Sequence, residues 1–257
     1  MLKYIDTHAH YDDDSFDFDR DSLLQGLPSA GIIGVVNCAS NIASAKKCIE
    51  IAEQYDYCWA GVGVHPHHAG ELKDGWQDEI ISLAKHPKVV AIAEIGLDYH
   101  YDDTDREKQS MVFRKQLDIA QKYNKPIIVH SRDSIQDTYN ILKKYNLKGS
   151  IHCFSGSVEM AREFIKLGYK IGIGGIITYK NAKTIKEVVK DTDLAYILLE
   201  TDSPYLAPVP HRGEDNNPKY IPIIADEIAS IKGSSSLDIA RVTTANAEAV
   251  FDFSCKK

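Results

Sequence analysis

Six side chains suited to divalent cations stand at the ends of short apolar runs in this 257-residue chain: His8 and His10, then Glu94, His130, His152 and Asp202. Four imidazoles and two carboxylates gathered on one face would make a nest for divalent cations. Such a centre can polarise a scissile bond and lower the pKa of a water molecule, which is the chemistry of metal-assisted hydrolysis. The recurrence of the placement carries this reading. A single histidine ending a strand is more often a core residue satisfied by a backbone carbonyl.

Each position has its own physical warrant. His8 and His10 are two residues apart, and side chains at i and i+2 of a strand point to one side, so both rings can reach one ion. Glu94 follows five apolar residues, where a buried carboxylate is costly unless paired or bound to metal. Asp202 closes Leu198-Leu199-Glu200-Thr201-Asp202 in the same way. Glu200 shares a side with Asp202 and is either a hydrogen-bond partner behind the ligands or a group facing substrate. His65, at the end of Gly61-Val62-Gly63-Val64-His65-Pro66, is a candidate catalytic proton donor or phosphate contact. His67, His68, His86 and His100 read as solvated, and Cys153 as a small apolar filler turned toward the helices. Gly172, Gly174 and Gly175 lack the GxGxxG pattern and a Walker lysine, so they read as close-approach positions rather than a phosphate cradle.

The elements that must position these groups are legible as alternation. Apolar runs at 3–7, 32–37, 58–64, 89–95, 126–130, 149–153, 169–173 and 195–200 are mostly continuous, as in strands buried on both faces. Helical patterns lie between and after them, at 42–55, 106–123, 158–167, 221–231 and 237–251. Eight strands alternating with helices predict an α/β fold, a (β/α)₈ TIM-type barrel forming a single domain over 1–257, with an open doubly wound sheet as the alternative. In either fold the chemistry gathers at the carboxyl ends of the strands. The polar, proline-rich loop 207–218 is expected to overhang that face.

Composition narrows the class. With 44% apolar and 26% charged residues, the chain has the make-up of an ordinary globular domain. A net charge of −7 does not advertise nucleic-acid binding, so a polyanionic substrate needs a local positive field. Two divalent ions set against two carboxylates would supply one, of about +2. Five cysteines without a CxxC pair read as reduced thiols, which together with the immediate first strand points to the cytoplasm. No stretch is long enough to span a bilayer.

Together the stretches Asp6-Thr7-His8-Ala9-His10, Gly63-Val64-His65-Pro66, Glu94-Ile95-Gly96-Leu97-Asp98-Tyr99, Val129-His130-Ser131-Arg132, His152-Cys153-Phe154-Ser155-Gly156, Glu200-Thr201-Asp202-Ser203-Pro204-Tyr205-Leu206 and Asn246-Ala247-Glu248 resemble the TatD family of metal-dependent deoxyribonucleases. The matches run in order through essentially the whole chain. The resemblance implies two divalent ions, one held by His8, His10 and Asp202, the other by His130 and His152, with Glu94 bridging. It implies Mg²⁺-dependent cleavage of DNA from single-stranded ends, 3′ to 5′, with RNA a further candidate; imidazole-rich coordination suits Mn²⁺ or Zn²⁺ better. Glu94, Asp202 and His65 are the expected catalytic residues, with Arg132 and Arg212 as substrate contacts. Glu214 and Asp215 follow Arg212-Gly213 where the family often carries basic residues, and Asn216-Asn217-Pro218 stands where Asn-Glu-Pro is frequent. The rival readings are the same barrel acting on an ester or amide, such as aminoacyl-tRNA, and a barrel that only binds a partner.

Overall fold

A computed structural model describes residues 2–101 and 105–254. The chain alternates strand and helix: β1 (Tyr4–Ala9), α1 (Arg20–Gly26), β2 (Ile32–Cys38), α2 (Ile42–Gln54), β3 (Cys58–Val62), α3 (Trp76–Ala84), β4 (Val89–Asp98) and α4 (Arg106–Lys122). It continues with β5 (Ile127–Arg132), α5 (Ile135–Leu142), β6 (Gly149–Ile151), α6 (Val158–Lys166), β7 (Tyr169–Ile173), α7 (Lys183–Asp191), β8 (Ile197–Leu199), α8 (Ile221–Lys232) and α9 (Ser236–Val250). All eight strands are parallel and follow one another in chain order. The expected barrel is therefore the fold, and the open doubly wound sheet is excluded by that order.

The seam between β1 and the segment after β8 closes the barrel. The His10 amide donates to Ser203 O at 2.7 Å and the Asp202 amide to His8 O at 2.9 Å, while Thr201 Oγ1 donates to Asp6 Oδ2 at 2.6 Å. These bonds set Asp202 beside both histidines of β1.

Strand alternation divides the core. Val36, Cys38, Ala91, Ala93, Ile128 and Leu198 pack in one cluster with Ile5 and with Phe251 from the segment after α9. Tyr4, Val35, Ile92, Ile127, Val129, Ile197 and Leu199 belong to the larger cluster shared with the helices. Continuing the inner file past Ile128 reaches His130, and past Leu198 it reaches Glu200. On β4 the same parity would aim Ile95 inward, yet Ile95 and Leu97 lie in the helix-side cluster. A register shift between Ile92 and Ile95 re-aims the strand, so Glu94 turns inward. A second shift between Asp6 and Ala9 does the same for His8 on β1.

Several boundaries differ from the sequence reading. β4 runs on to Asp98, β6 stops at Ile151, and residues 194–196 form a 3₁₀ turn before β8. Cys38, Cys48, Cys58 and Cys153 are free thiols, whereas Cys255 lies outside the described residues. No helix among the described residues is long and apolar enough to cross a membrane.

Candidate metal centre

The six predicted donors meet in a cavity of about 730 Å³ at the carboxyl ends of the strands, with His8 beneath its lining residues. His8 Nε2 lies 3.1 Å from His10 Nε2, 3.6 Å from Glu94 Oε2 and 3.5 Å from Asp202 Oδ1. His10 Nε2 is 3.6 and 3.4 Å from the same two oxygens. Donors bound to one cation at about 2.0–2.2 Å stand roughly 2.8–3.1 Å apart as octahedral neighbours and roughly 3.3–3.6 Å apart in a tetrahedron, a combined span of about 2.8–3.6 Å. The five separations fall in that interval, so the residues fit an ion.

The other oxygen of Glu94 faces a different set. Oε1 is 2.7 Å from His130 Nδ1, 3.2 Å from His152 Nε2 and 3.9 Å from His65 Nε2. One carboxylate thus divides the histidines between its two oxygens, as a bridging ligand must.

Ring orientation is held from behind, which in metal sites fixes the tautomer and aims the free lone pair. His10 Nδ1 donates to Cys38 O at 2.8 Å, leaving Nε2 bare toward the carboxylates. His152 Nδ1 is 3.3 Å from Glu200 Oε1, close enough for an ion pair but without hydrogen-bond geometry, and that oxygen accepts from the Cys153 amide at 2.5 Å. Glu200 is buried, accepts from the Cys153 amide and does not line the donor cavity, so it stands behind the ligands rather than facing substrate. Gly172 makes room for it: a Cβ there would sit 2.3 Å from Glu200 Oε2. Gly172 and Gly175 are close-approach positions, as their spacing suggested, whereas a Cβ at Gly174 would meet nothing nearer than 3.6 Å.

Electrostatics bind the set together. Burial alone would raise the Glu94 carboxyl, but His8, His152, His65 and His130 hold it well below the usual carboxylate range. Burial would likewise raise Asp202, and His152, His10 and His8 lower it instead. Asp202 keeps 15% of its side-chain surface open to the cavity, more than Glu94 at 5%. It is the carboxylate that an incoming reactant meets first.

Asp98 is the residue that sequence reasoning missed. Its Oδ2 lies 3.0 Å from His130 Nε2 and 3.0 Å from His67 Nε2, and Oδ1 accepts from the His100 amide at 2.9 Å. Burial would raise its carboxyl, but these bonds bring it down to about 2. The signal was present, since Glu94 and Asp98 are four residues apart on one strand and share a side. His67 is accordingly not a solvated loop residue: it faces Asp98 and lines the cavity. His65 lines it too, with Nδ1 accepting from the His67 amide at 3.2 Å.

Arg132 also lines the cavity, its guanidinium 5.3 Å from the Tyr101 ring centre. Arg212 lies instead over the Tyr179 ring at 4.6 Å, and the 207–218 loop reaches the cavity only through the preceding Tyr205 and Leu206. Cys153 does not point into the helix layer. β6 has ended, φ at Cys153 is 41°, and the residue lines an adjoining, more apolar cavity of about 420 Å³ with Phe154 and Ile176.

Comparison with known proteins agrees with this geometry. A family model described as TatD related DNase matches residues 5–252. The metal-dependent hydrolase YabD of Bacillus subtilis is 39% identical over 250 residues, covering 96% of this chain and 98% of YabD. The crystal structure of YjjV, a TatD homologue from Escherichia coli, superposes with a TM-score of 0.92 at 31% identity, covering 97% of this chain and 98% of that one. A TatD family hydrolase of Entamoeba histolytica gives 0.87 at 27% identity, covering 98% and 99%. With nearly the whole chain matched by the family model and by such relatives, the chain belongs to the TatD-related DNase family and is a metal-dependent hydrolase.

Proposed function

We propose that the chain hydrolyses phosphodiester bonds at single-stranded ends of DNA, with RNA a secondary substrate, using two divalent ions. His8, His10 and Asp202 would hold one ion, His130 and His152 the other, and Glu94 would serve both. The observation that carries this reading is the division of Glu94, with Oε2 facing His8 and His10 and Oε1 facing His130 and His152. When bound, such ions neutralise charge on the non-bridging phosphate oxygens, lower the pKa of a water and stabilise the departing oxyanion.

The chain's own groups then have defined tasks. Asp202, the more open carboxylate, orients the attacking water and takes its proton. His65 accepts a hydrogen bond at Nδ1, so in the neutral ring the hydrogen is on Nε2, where it can donate to a phosphoryl oxygen. That favours the phosphate contact over the proton donor. Arg132 supplies the nearby fixed positive charge. Mg²⁺ and Mn²⁺ are the expected ions, with Zn²⁺ favoured by imidazole ligands.

The test is digestion of end-labelled single-stranded DNA and RNA with Mg²⁺, Mn²⁺, Zn²⁺ or EDTA, with products resolved by length. The reading requires a divalent-dependent ladder shortening from the 3′ end. Intact strands with every ion, alongside hydrolysis of an aminoacyl ester by the same preparation, would replace it with the esterase alternative.

A further inference from the structure

We infer that the substrate strand is gripped through its unpaired bases by Tyr101 and Tyr205, rather than through its phosphate backbone; the inference rests on the phosphodiesterase reading above. Among the described residues seven large apolar side chains are exposed, and only Met111 and Leu237 lie on helices. The other five, Phe18, Tyr101, Tyr205, Leu206 and Val209, all sit on loops following β1, β4 and β8, at the end of the barrel that carries the donors. Exposed apolar surface concentrated around a site marks a contact surface.

Two of these rings line the donor cavity itself. Tyr101 is 47% and Tyr205 51% exposed. They follow β4 and β8, which are half a turn apart in an eight-stranded barrel whose strands run in chain order. Tyr205 stands 6.1 Å from the His10 ring on one wall, and Tyr101 stands 5.2 Å from the His67 ring on the other. Both are held: the Tyr205 hydroxyl donates to Asp13 Oδ2 at 2.8 Å, and Tyr101 packs edge-on to His100 at 4.8 Å with Arg132 over its face. A phosphate lying at the donors between them would place the flanking bases against these two exposed rings.

Charge argues against the usual alternative. The cavity lining holds one arginine, Arg132, and no lysine, against Asp12, Asp13, Glu94, Asp98 and Asp202. Apart from the ions themselves, Arg132 is the one fixed positive charge among the described lining residues, too little to track a phosphate backbone. Stacking on aromatic rings is indifferent to base identity and demands that the base be free of its partner. The substrate class is therefore an unpaired strand end of any sequence.

The experiment compares kcat/KM for oligothymidylate with that for an abasic oligomer of equal length, in Mg²⁺ and Mn²⁺. Wild type should favour the base-bearing strand, and Tyr101→Ala or Tyr205→Ala should each cut that preference by roughly tenfold, chiefly through KM. Tyr101→Phe and Tyr205→Phe keep the ring and should restore it, and circular dichroism checks that the alanine variants are folded. Equal turnover of both oligomers by an active wild type, or a preference untouched in the folded alanine variants, overturns the clamp alone. Failure to cleave either oligomer overturns the phosphodiesterase reading beneath it.

Discussion

Asp98 Oδ2 lies 3.0 Å from His130 Nε2, while Nδ1 of the same ring faces Glu94 Oε1 at 2.7 Å. A carboxylate behind a ligating imidazole fixes its tautomer and raises its basicity, and losing such a partner costs about 10- to 100-fold in metal affinity or activity. Asp98→Asn should therefore weaken metal binding by about that factor while the barrel stays folded. Titration of the metal-stripped variant with Mn²⁺, followed by calorimetry, measures it. Affinity equal to wild type would mean that Asp98 serves His67 and the 100-region loop instead.

Glu94 is predicted to control metal stoichiometry, not merely affinity. With its two oxygens facing separate histidine sets, Glu94→Gln keeps the shape and removes the charge that both sets share. Elemental analysis should fall from two ions per chain to one or fewer. His130→Ala and Asp202→Ala should abolish divalent-dependent hydrolysis with the far-ultraviolet spectrum preserved. Turnover retained in a folded, metal-stripped Asp202→Ala protein would remove Asp202 from the chemistry.

The strand count and the closing order were readable because buried parallel strands are continuous apolar runs. Four helices of nine residues or fewer, α1, α3, α5 and α7, went unread, while α6, as long as α3 and α7, was found. At the site, alternation from Ile128 and Leu198 leads directly to His130, Glu200 and Asp202. It fails on β1 and β4, where register shifts turn His8 and Glu94 inward against the parity of Ile5 and Ala93. Residue type, not periodicity, found those two. Asp98 was missed although its spacing from Glu94 carried a signal, and His67 was missed because it depends on a contact between β4 and the loop after β3, which no local spacing encodes.

Metal removal should lower thermal stability. Apo protein keeps Glu94 and Asp202 buried among imidazoles, and any ion that binds only the folded state stabilises it by about 2.7 kcal/mol at a hundredfold excess over Kd. For a chain of this size that corresponds to a rise in Tm of roughly 5–10 °C. Scanning calorimetry with Mn²⁺ and then with EDTA should show the difference. His130→Ala should lose part of it, because the second histidine set is broken while His8, His10 and Asp202 keep theirs. Identical melting with metal and with chelator in wild type would argue against a filled centre in the folded protein.

Gly172 offers a test that touches no ligand. It sits on β7 behind Glu200, and an added Cβ would come within 2.3 Å of Oε2 and 2.8 Å of the carboxyl carbon. Glu200 is buried and pinned to the Cys153 amide and near His152 Nδ1, so it cannot swing into solvent to make room. Gly172→Ala should then cost about 1–3 kcal/mol by overpacking and also tilt His152 away from Glu94. The double effect is the discriminating feature: urea denaturation reports the first, and weakened metal binding in the still-folded variant reports the second. Shortening the acid relieves the clash, so Gly172→Ala combined with Glu200→Asp should recover stability. It should not recover metal affinity, because the shorter side chain no longer reaches the imidazole. Full recovery of both would show that Glu200 fills space at this position and does not orient His152.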